Sequence, residues 1–85
     1  MTAPDAVQER VRRFVMEHFP LARERGVGDE DSLLDDGIID SLGTLELVAF
    51  LEREFDIVVD DEDMVADHFE SIASIAAFAA AREPA

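Results

Sequence analysis

Cysteine is absent from this 85-residue chain. The protein can therefore form no disulfide framework, no zinc–thiolate site and no thiol nucleophile of its own. Lysine is absent too: seven arginines face 21 acids, for a net charge of −14. A charge of that sign and size argues against direct binding to a nucleic-acid backbone or an anionic membrane. No apolar run approaches the roughly twenty residues that a membrane-spanning helix needs. Met1-Thr2-Ala3-Pro4-Asp5 has neither a positive n-region nor an apolar h-region, so a cytoplasmic chain without an export signal is expected. Strand-like alternation and internal repeats are missing as well. The length allows a single domain, residues 1–85, with a thin core and an ordered body over about 5–82.

What charge there is lies unevenly. Residues 1–25 hold four acids and five arginines, a balance of +1, whereas residues 26–85 hold seventeen acids and two arginines, a balance of −15. The acidic part also holds most of the Leu, Ile, Val and Phe, so it is a folded body with a negative exterior and not a solvated tail. Such self-repulsion serves either solubility or attraction to basic partners; composition leaves both open.

Val7, Val11, Phe14, Val15 and Phe19 recur at spacings of three and four, which predicts an amphipathic helix from about Asp5 to Phe19, ended or kinked by Pro20. Residues 21–40 read as a long loop punctuated by Gly26, Gly28 and Gly37, pinned across the bundle by Leu33, Leu34, Ile38 and Ile39. Ser41 to Phe55 is the second helix, with Leu47, Leu51 and Phe55 on its core face and Val48 beside them. Leu42, Leu45 and Ala49 point elsewhere, leaving an apolar strip among Glu46, Glu52 and Glu54. Ile57-Val58-Val59 is an extended connector, and Asp60 to Asp67 holds a short helix around Met64 and Val65. Ser71 caps a last helix whose inner face is Ile72, Ile75, Ala76, Phe78 and Ala79, before a frayed end at Arg82-Glu83-Pro84-Ala85. The expected fold is all-α: a small four-helix bundle of three main helices and a short third one, with a long loop between helices one and two.

Most catalytic chemistries fail on spacing. A calcium loop with Gly37 at its sixth position would put Leu34 and Gly43 where oxygen ligands belong. The run Asp60-Asp61-Glu62-Asp63 lacks that glycine and reads as a helix cap. His18 and His68 stand fifty residues apart without His or Cys companions and read as spacers, so no metal site is expected. No glycine-rich phosphate cradle and no Ser-His-Asp series is legible, and an enzyme is not expected.

One constellation remains: Asp36-Gly37-Ile38-Ile39-Asp40-Ser41-Leu42-Gly43. A serine stands where a pinned loop meets a helix N-terminus. Asp40 or Ser41 could each cap that helix, although neither leads to Glu or Gln three residues on. Gly43 costs up to about 1 kcal/mol of helix propensity, which calls for a reason. The functional reading makes the Ser41 hydroxyl an attachment point for a phosphate ester, held at the positive helix end, with Gly43 allowing close approach of the attached group or a partner backbone.

Asp40-Ser41-Leu42, followed by Glu46-Leu47 and Leu51-Glu52-Arg53-Glu54-Phe55, resembles the acyl carrier proteins. The resemblance covers nearly the whole chain. It implies 4′-phosphopantetheine, derived from coenzyme A, on Ser41, with Asp40 part of the motif that a phosphopantetheinyl transferase reads. It places Leu42, Leu45, Glu46, Ala49, Glu52 and Met64 on the surface offered to partner enzymes; for Leu42 and Leu45 the competing reading is plain core. The arm's terminal thiol would carry a thioester, loaded by an acyl- or aminoacyl-specific ligase or acyltransferase and delivered to downstream biosynthetic enzymes.

The type of carrier rests on finer motifs. Fatty-acid carriers place an acid where this chain has Gly43, and carriers in peptide synthetase modules show Gly-His-Ser in place of Asp-Ser. Asp36-Gly37-Ile38-Ile39-Asp40-Ser41 with Gly43-Thr44 is similar to D-alanyl carrier proteins, while His68-Phe69-Glu70-Ser71-Ile72-Ala73-Ser74-Ile75 is similar to free-standing carriers of polyketide and nonribosomal peptide metabolism. The expectation is a free-standing acyl or aminoacyl carrier of that last kind, monomeric when free. Its rivals are a D-alanyl or fatty-acid carrier, an unmodified acidic interaction module, and a small metal buffer. Arg53, which interrupts the acidic face, and Asp60, where many relatives have proline, leave the partner footprint open.

Overall fold

In the computed structural model, residues 4–35 and 37–83 are described. Met1–Ala3, Asp36, Pro84 and Ala85 lie outside them, and with them most of the proposed non-signal N-terminus, the first residue of the Asp36–Gly43 motif and the tip of the expected frayed end. The helices are α1 (Pro4–His18), α2 (Pro20–Arg25), α3 (Ser41–Phe55), α4 (Ala66–Phe69) and α5 (Ile72–Arg82), with a 3-10 turn at Asp61–Asp63. Among the described residues there is no strand, and no helix is long and apolar enough to cross a membrane.

The α1 stripe does what its spacing predicts. Val7, Val11 and Val15 are fully buried, and α1 packs chiefly on α5, where Ile72, Ile75, Ala76, Phe78 and Ala79 are all buried. Helix α3 runs antiparallel to α1: Phe14 stacks on Phe50 with ring centroids 4.1 Å apart, while Arg10 pairs with Glu54 one end further on. Phe50 is thus core, along with the expected Leu47, Leu51 and Phe55.

Two expectations need correction. Pro20 does not release the chain into a loop: Phe19 turns extended (φ −121°, ψ 96°) and Pro20 opens α2 as its first residue. The missing N–H of proline is no loss there, and its fixed φ suits a helix start. Gly26, at φ 59°, ends α2 in the left-handed conformation that glycine adopts at least cost, so the loop proper is 26–40. The expected short helix around Met64 and Val65 is instead split. The 3-10 turn precedes those two residues and α4 follows them, with Val65 extended (φ −113°, ψ 151°) between.

The loop is pinned as anticipated. Leu33 is fully buried; its N–H donates to the Glu70 carbonyl (2.7 Å), and its own carbonyl accepts from Ile38 and Ile39. Asp29 forms a second anchor: its carboxylate accepts from Gln8 (2.8 Å) and Arg12 (3.0 Å), and its carbonyl from the Ala73 N–H (2.8 Å). These bonds tie the loop to α1 and α5, and so fix where Ser41 begins α3.

Candidate functional site

At the head of α3 the capping question resolves in favour of the acid. Asp40, extended at φ −96° and ψ −172°, accepts from the Gly43 N–H through its carboxylate at 2.7 Å. Its carbonyl accepts from the Thr44 N–H (2.9 Å) and the Thr44 hydroxyl (3.0 Å). Ser41 is then the first helical residue: it is exposed, and its hydroxyl makes no hydrogen bond among the described residues. The oxygen faces water beside the free N–H groups and positive end of a fifteen-residue helix.

Gly43 has a different reason from the one its sequence position suggests. It is buried, and a Cβ built there would lie 2.8 Å from Phe19 Cε1 and 3.1 Å from Ile39 Cγ2. The glycine lets the α1–α2 corner pack under the head of α3; it does not open the surface to an approaching group.

The outward face of α3 carries Ser41, Leu42, Leu45, Glu46 and Ala49, all exposed. Leu42 is 65% and Leu45 57% accessible, so neither is core. Glu52 is half-buried, and its carboxylate accepts from the Val59 N–H (3.0 Å), holding the connector after α3. Met64 is half-buried too, and lines a groove of about 200 Å³ with Leu34, Thr44, Val65, Ala66 and Phe69. Thr44 brings this groove within one helical turn of Ser41. Sequence reasoning passed over Thr44 as a site residue, although a position three after the serine shares its side of the helix. Arg53, by contrast, lies about 18 Å further along α3 at 1.5 Å per residue, in a separate cleft with Arg10, Arg13 and His18.

The Asp60–Asp63 run caps a helix as expected, the Asp63 carboxylate accepting from the Asp60 N–H (3.1 Å) at the 3-10 turn, but Arg82 is placed otherwise than expected. Asp63 is buried and receives both guanidinium nitrogens of Arg82, the last residue of α5, so Arg82 is not part of a frayed end. Arg82 above all, then the backbone N–H of Asp60, holds the Asp63 carboxyl below its ordinary range, with the nearby His68 adding to the effect. A carboxyl whose native pKa is depressed adds stability above its unfolded pKa and loses it as pH falls through the native one. The native chain should therefore out-melt Asp63→Asn near neutrality, and the margin should close on acidification below the ordinary carboxylate range. Paired thermal melts across pH check this.

His18 stacks on Phe14 (4.1 Å) and sets Nδ1 against its carbonyl; His68 stacks on Phe78 (4.7 Å) and sets Nδ1 against the Asp63 carbonyl. Both rings are thus engaged in stacking and in a contact with a backbone carbonyl. Among the described residues no group of three or more His, Cys, Asp or Glu is arranged to hold a metal ion.

A helical bundle with a pinned acidic loop and an exposed serine at a helix head, its hydroxyl without a hydrogen bond among the described residues, has the form of a carrier domain. The model of the phosphopantetheine attachment site family matches residues 9–79, and the chain belongs to that family of non-catalytic carriers. It is 39% identical over 72 residues to an acyl carrier protein of Phenylobacterium zucineum (strain HLK1), covering 85% of this chain and 87% of the relative. It is 38% identical over 72 residues to one of Caulobacter vibrioides (strain NA1000 / CB15N), covering 85% and 88%. A Buchnera aphidicola acyl carrier protein (strain APS) is 37% identical over 57 residues, covering 67% and 70%. Membership implies a 4′-phosphopantetheine prosthetic group and a transferase that installs it.

Proposed function

We propose that Ser41 bears the 4′-phosphopantetheine arm and that the chain is a free-standing acyl or aminoacyl carrier, cytoplasmic and monomeric, in polyketide or nonribosomal peptide metabolism. The observation that carries the attachment is the exposed Ser41 hydroxyl, without a hydrogen bond among the described residues and relieved of capping duty by Asp40. A phosphate ester on that oxygen would sit over the free N–H groups of the first turn of α3. When bound, the arm supplies a terminal thiol for the thioester. The chain's own part is to hold the oxygen outward, fix its direction through the Leu33 and Asp29 anchors, and offer a docking face.

That face is Leu42, Leu45, Glu46 and Ala49, extended by Glu52 and Met64: an apolar strip with acids on its rim, suited to basic, apolar surfaces on a transferase, a loading ligase or acyltransferase, and the downstream enzymes. Gly43 supports a carrier outside fatty-acid synthesis, because the packing of Phe19 leaves no room for the acid that fatty-acid carriers place there. The matched relatives, named acyl carrier proteins, keep a fatty-acid role as the second reading, and the Asp36–Ser41 motif a D-alanyl role.

Incubation with coenzyme A and a broad-specificity transferase should add one phosphopantetheine mass to Ser41 and nothing to Ser41→Ala, read by intact-mass spectrometry. An unmodified native chain would overturn the reading in favour of an acidic docking module. The mass of the adduct isolated from the native host separates the pathway readings.

A further inference from the structure

Met64, Val65, Ala66 and Phe69 form the outer wall of the groove beside Thr44, and polar and ring contacts run from the segment that carries them, Asp60–Phe69, to α5. Arg82 donates to both Asp63 carboxylate oxygens and lies over the Phe78 ring, 5.1 Å from its centroid. His68 stacks on Phe78, and its Nδ1 meets the Asp63 carbonyl at 2.7 Å. Arg82, Phe78, His68 and Asp63 thus close a circuit between the end of α5 and the groove wall. Among the described residues no hydrogen bond or ion pair ties Asp60–Phe69 itself to α3; the nearest, from the Val59 N–H to Glu52, holds the connector just before it. Thr44 spends its hydroxyl on Asp40, and no hydrogen bond among the described residues crosses from α3 to Met64, Val65 or Ala66.

We propose that Asp63 and Arg82 are a latch: positioning residues that fix the outer wall of the groove and set how far it opens beside the attachment site. The Asp63–Arg82 pair at the far end of α5 is the ion pair on this wall, beside the ring contacts of His68 and Phe69 with Phe78, while Leu47, Leu51, Ile72 and Ile75 hold the bundle independently of that pair. Undoing the pair therefore frees the wall without undoing the core, the arrangement from which local opening arises. The place of the groove beside an attachment site rests on Ser41 carrying the arm; the latch itself does not.

Hydrogen exchange on the unmodified chain tests the latch. In Arg82→Gln the amides of Val65 and His68 should exchange about tenfold faster, while those of Leu51 and Ile75 change by less than about twofold. Met64 should gain in peroxide oxidation rate relative to Met16, which is also half-buried but lies on α1. Arg82→Lys, which keeps the charge and loses the two-pronged fork, should fall between native and Arg82→Gln. Unchanged exchange at Val65 and His68, or equal acceleration at all four amides, would overturn the latch. Failure of Ser41 to accept the arm would refute the carrier reading alone and leave the exchange result standing.

Discussion

Leu47→Ala should cost the domain about 2–5 kcal/mol and lower its Tm by roughly 10–30 °C, whereas Leu45→Ala should leave the Tm within about 3 °C. The two leucines stand two positions apart on one helix, yet Leu47 is fully buried and Leu45 is 57% accessible. Truncating Leu47 removes packed methyl groups and leaves a cavity in a thin core. A domain of this length holds only about 4–13 kcal/mol in all, so the loss is a large share of it. Leu45→Ala removes surface that folding does not use. Its cost should fall on partners, seen as slower loading by a ligase or acyltransferase at unchanged Tm. A large fall in Tm for Leu45→Ala would return that residue to the core and remove the centre of the proposed docking strip.

Gly43→Ala should also destabilise, against the usual direction for an exchange of glycine for alanine in a helix. Propensity favours alanine by up to about 1 kcal/mol, less in a first turn. The new Cβ, however, would sit 2.8 Å from Phe19 Cε1, and Phe19 is a buried ring with no flexible end to yield. Overpacking of this kind costs about 1–3 kcal/mol, so the balance is a net loss of about 1–2 kcal/mol. That corresponds to a Tm lower by roughly 5–15 °C. The same Cβ would lie 3.3 Å from Asp40 Oδ1, so the cap is disturbed and transfer of phosphopantetheine to Ser41 should slow as well. Thermal melts and timed intact-mass measurements check the two effects. A rise in Tm would mean that Phe19 yields easily and that the glycine is not there for packing.

These two cases mark where the sequence could be read and where it could not. The stripes of α1, α3 and α5 followed from spacing, because burial of one helix face leaves a period that no other constraint erases. Of the loop anchors, Leu33, Ile38 and Ile39 followed from being too apolar for water; Leu34, expected with them, is half-buried on the groove instead, and the polar anchor at Asp29 carried no such signal. Helix α2 did not follow, since Pro20 signals a stop and a first helical residue equally well. Only the extended turn at Phe19 and the burial of Ala22 decide it. Phe50 joined the core through its stack on Phe14, a contact between elements that no pattern within one helix encodes. At the site, Asp40 and Ser41 were equal candidates for the cap, because both side chains carry a suitable oxygen. The backbone set the difference by placing Ser41 inside the helix and Asp40 outside it. The partnership of Asp63 with Arg82 joins residues nineteen apart across two helices and left no local mark.

That Asp40 and not Ser41 caps the head of α3 has an evolutionary corollary. A TCN serine codon becomes alanine by one base change, and on the proposed reading such a change at Ser41 would strip the attachment oxygen without loosening the scaffold. Silent duplicates of this bundle, folded but empty-handed, would then compete with loaded copies for every shared binding face.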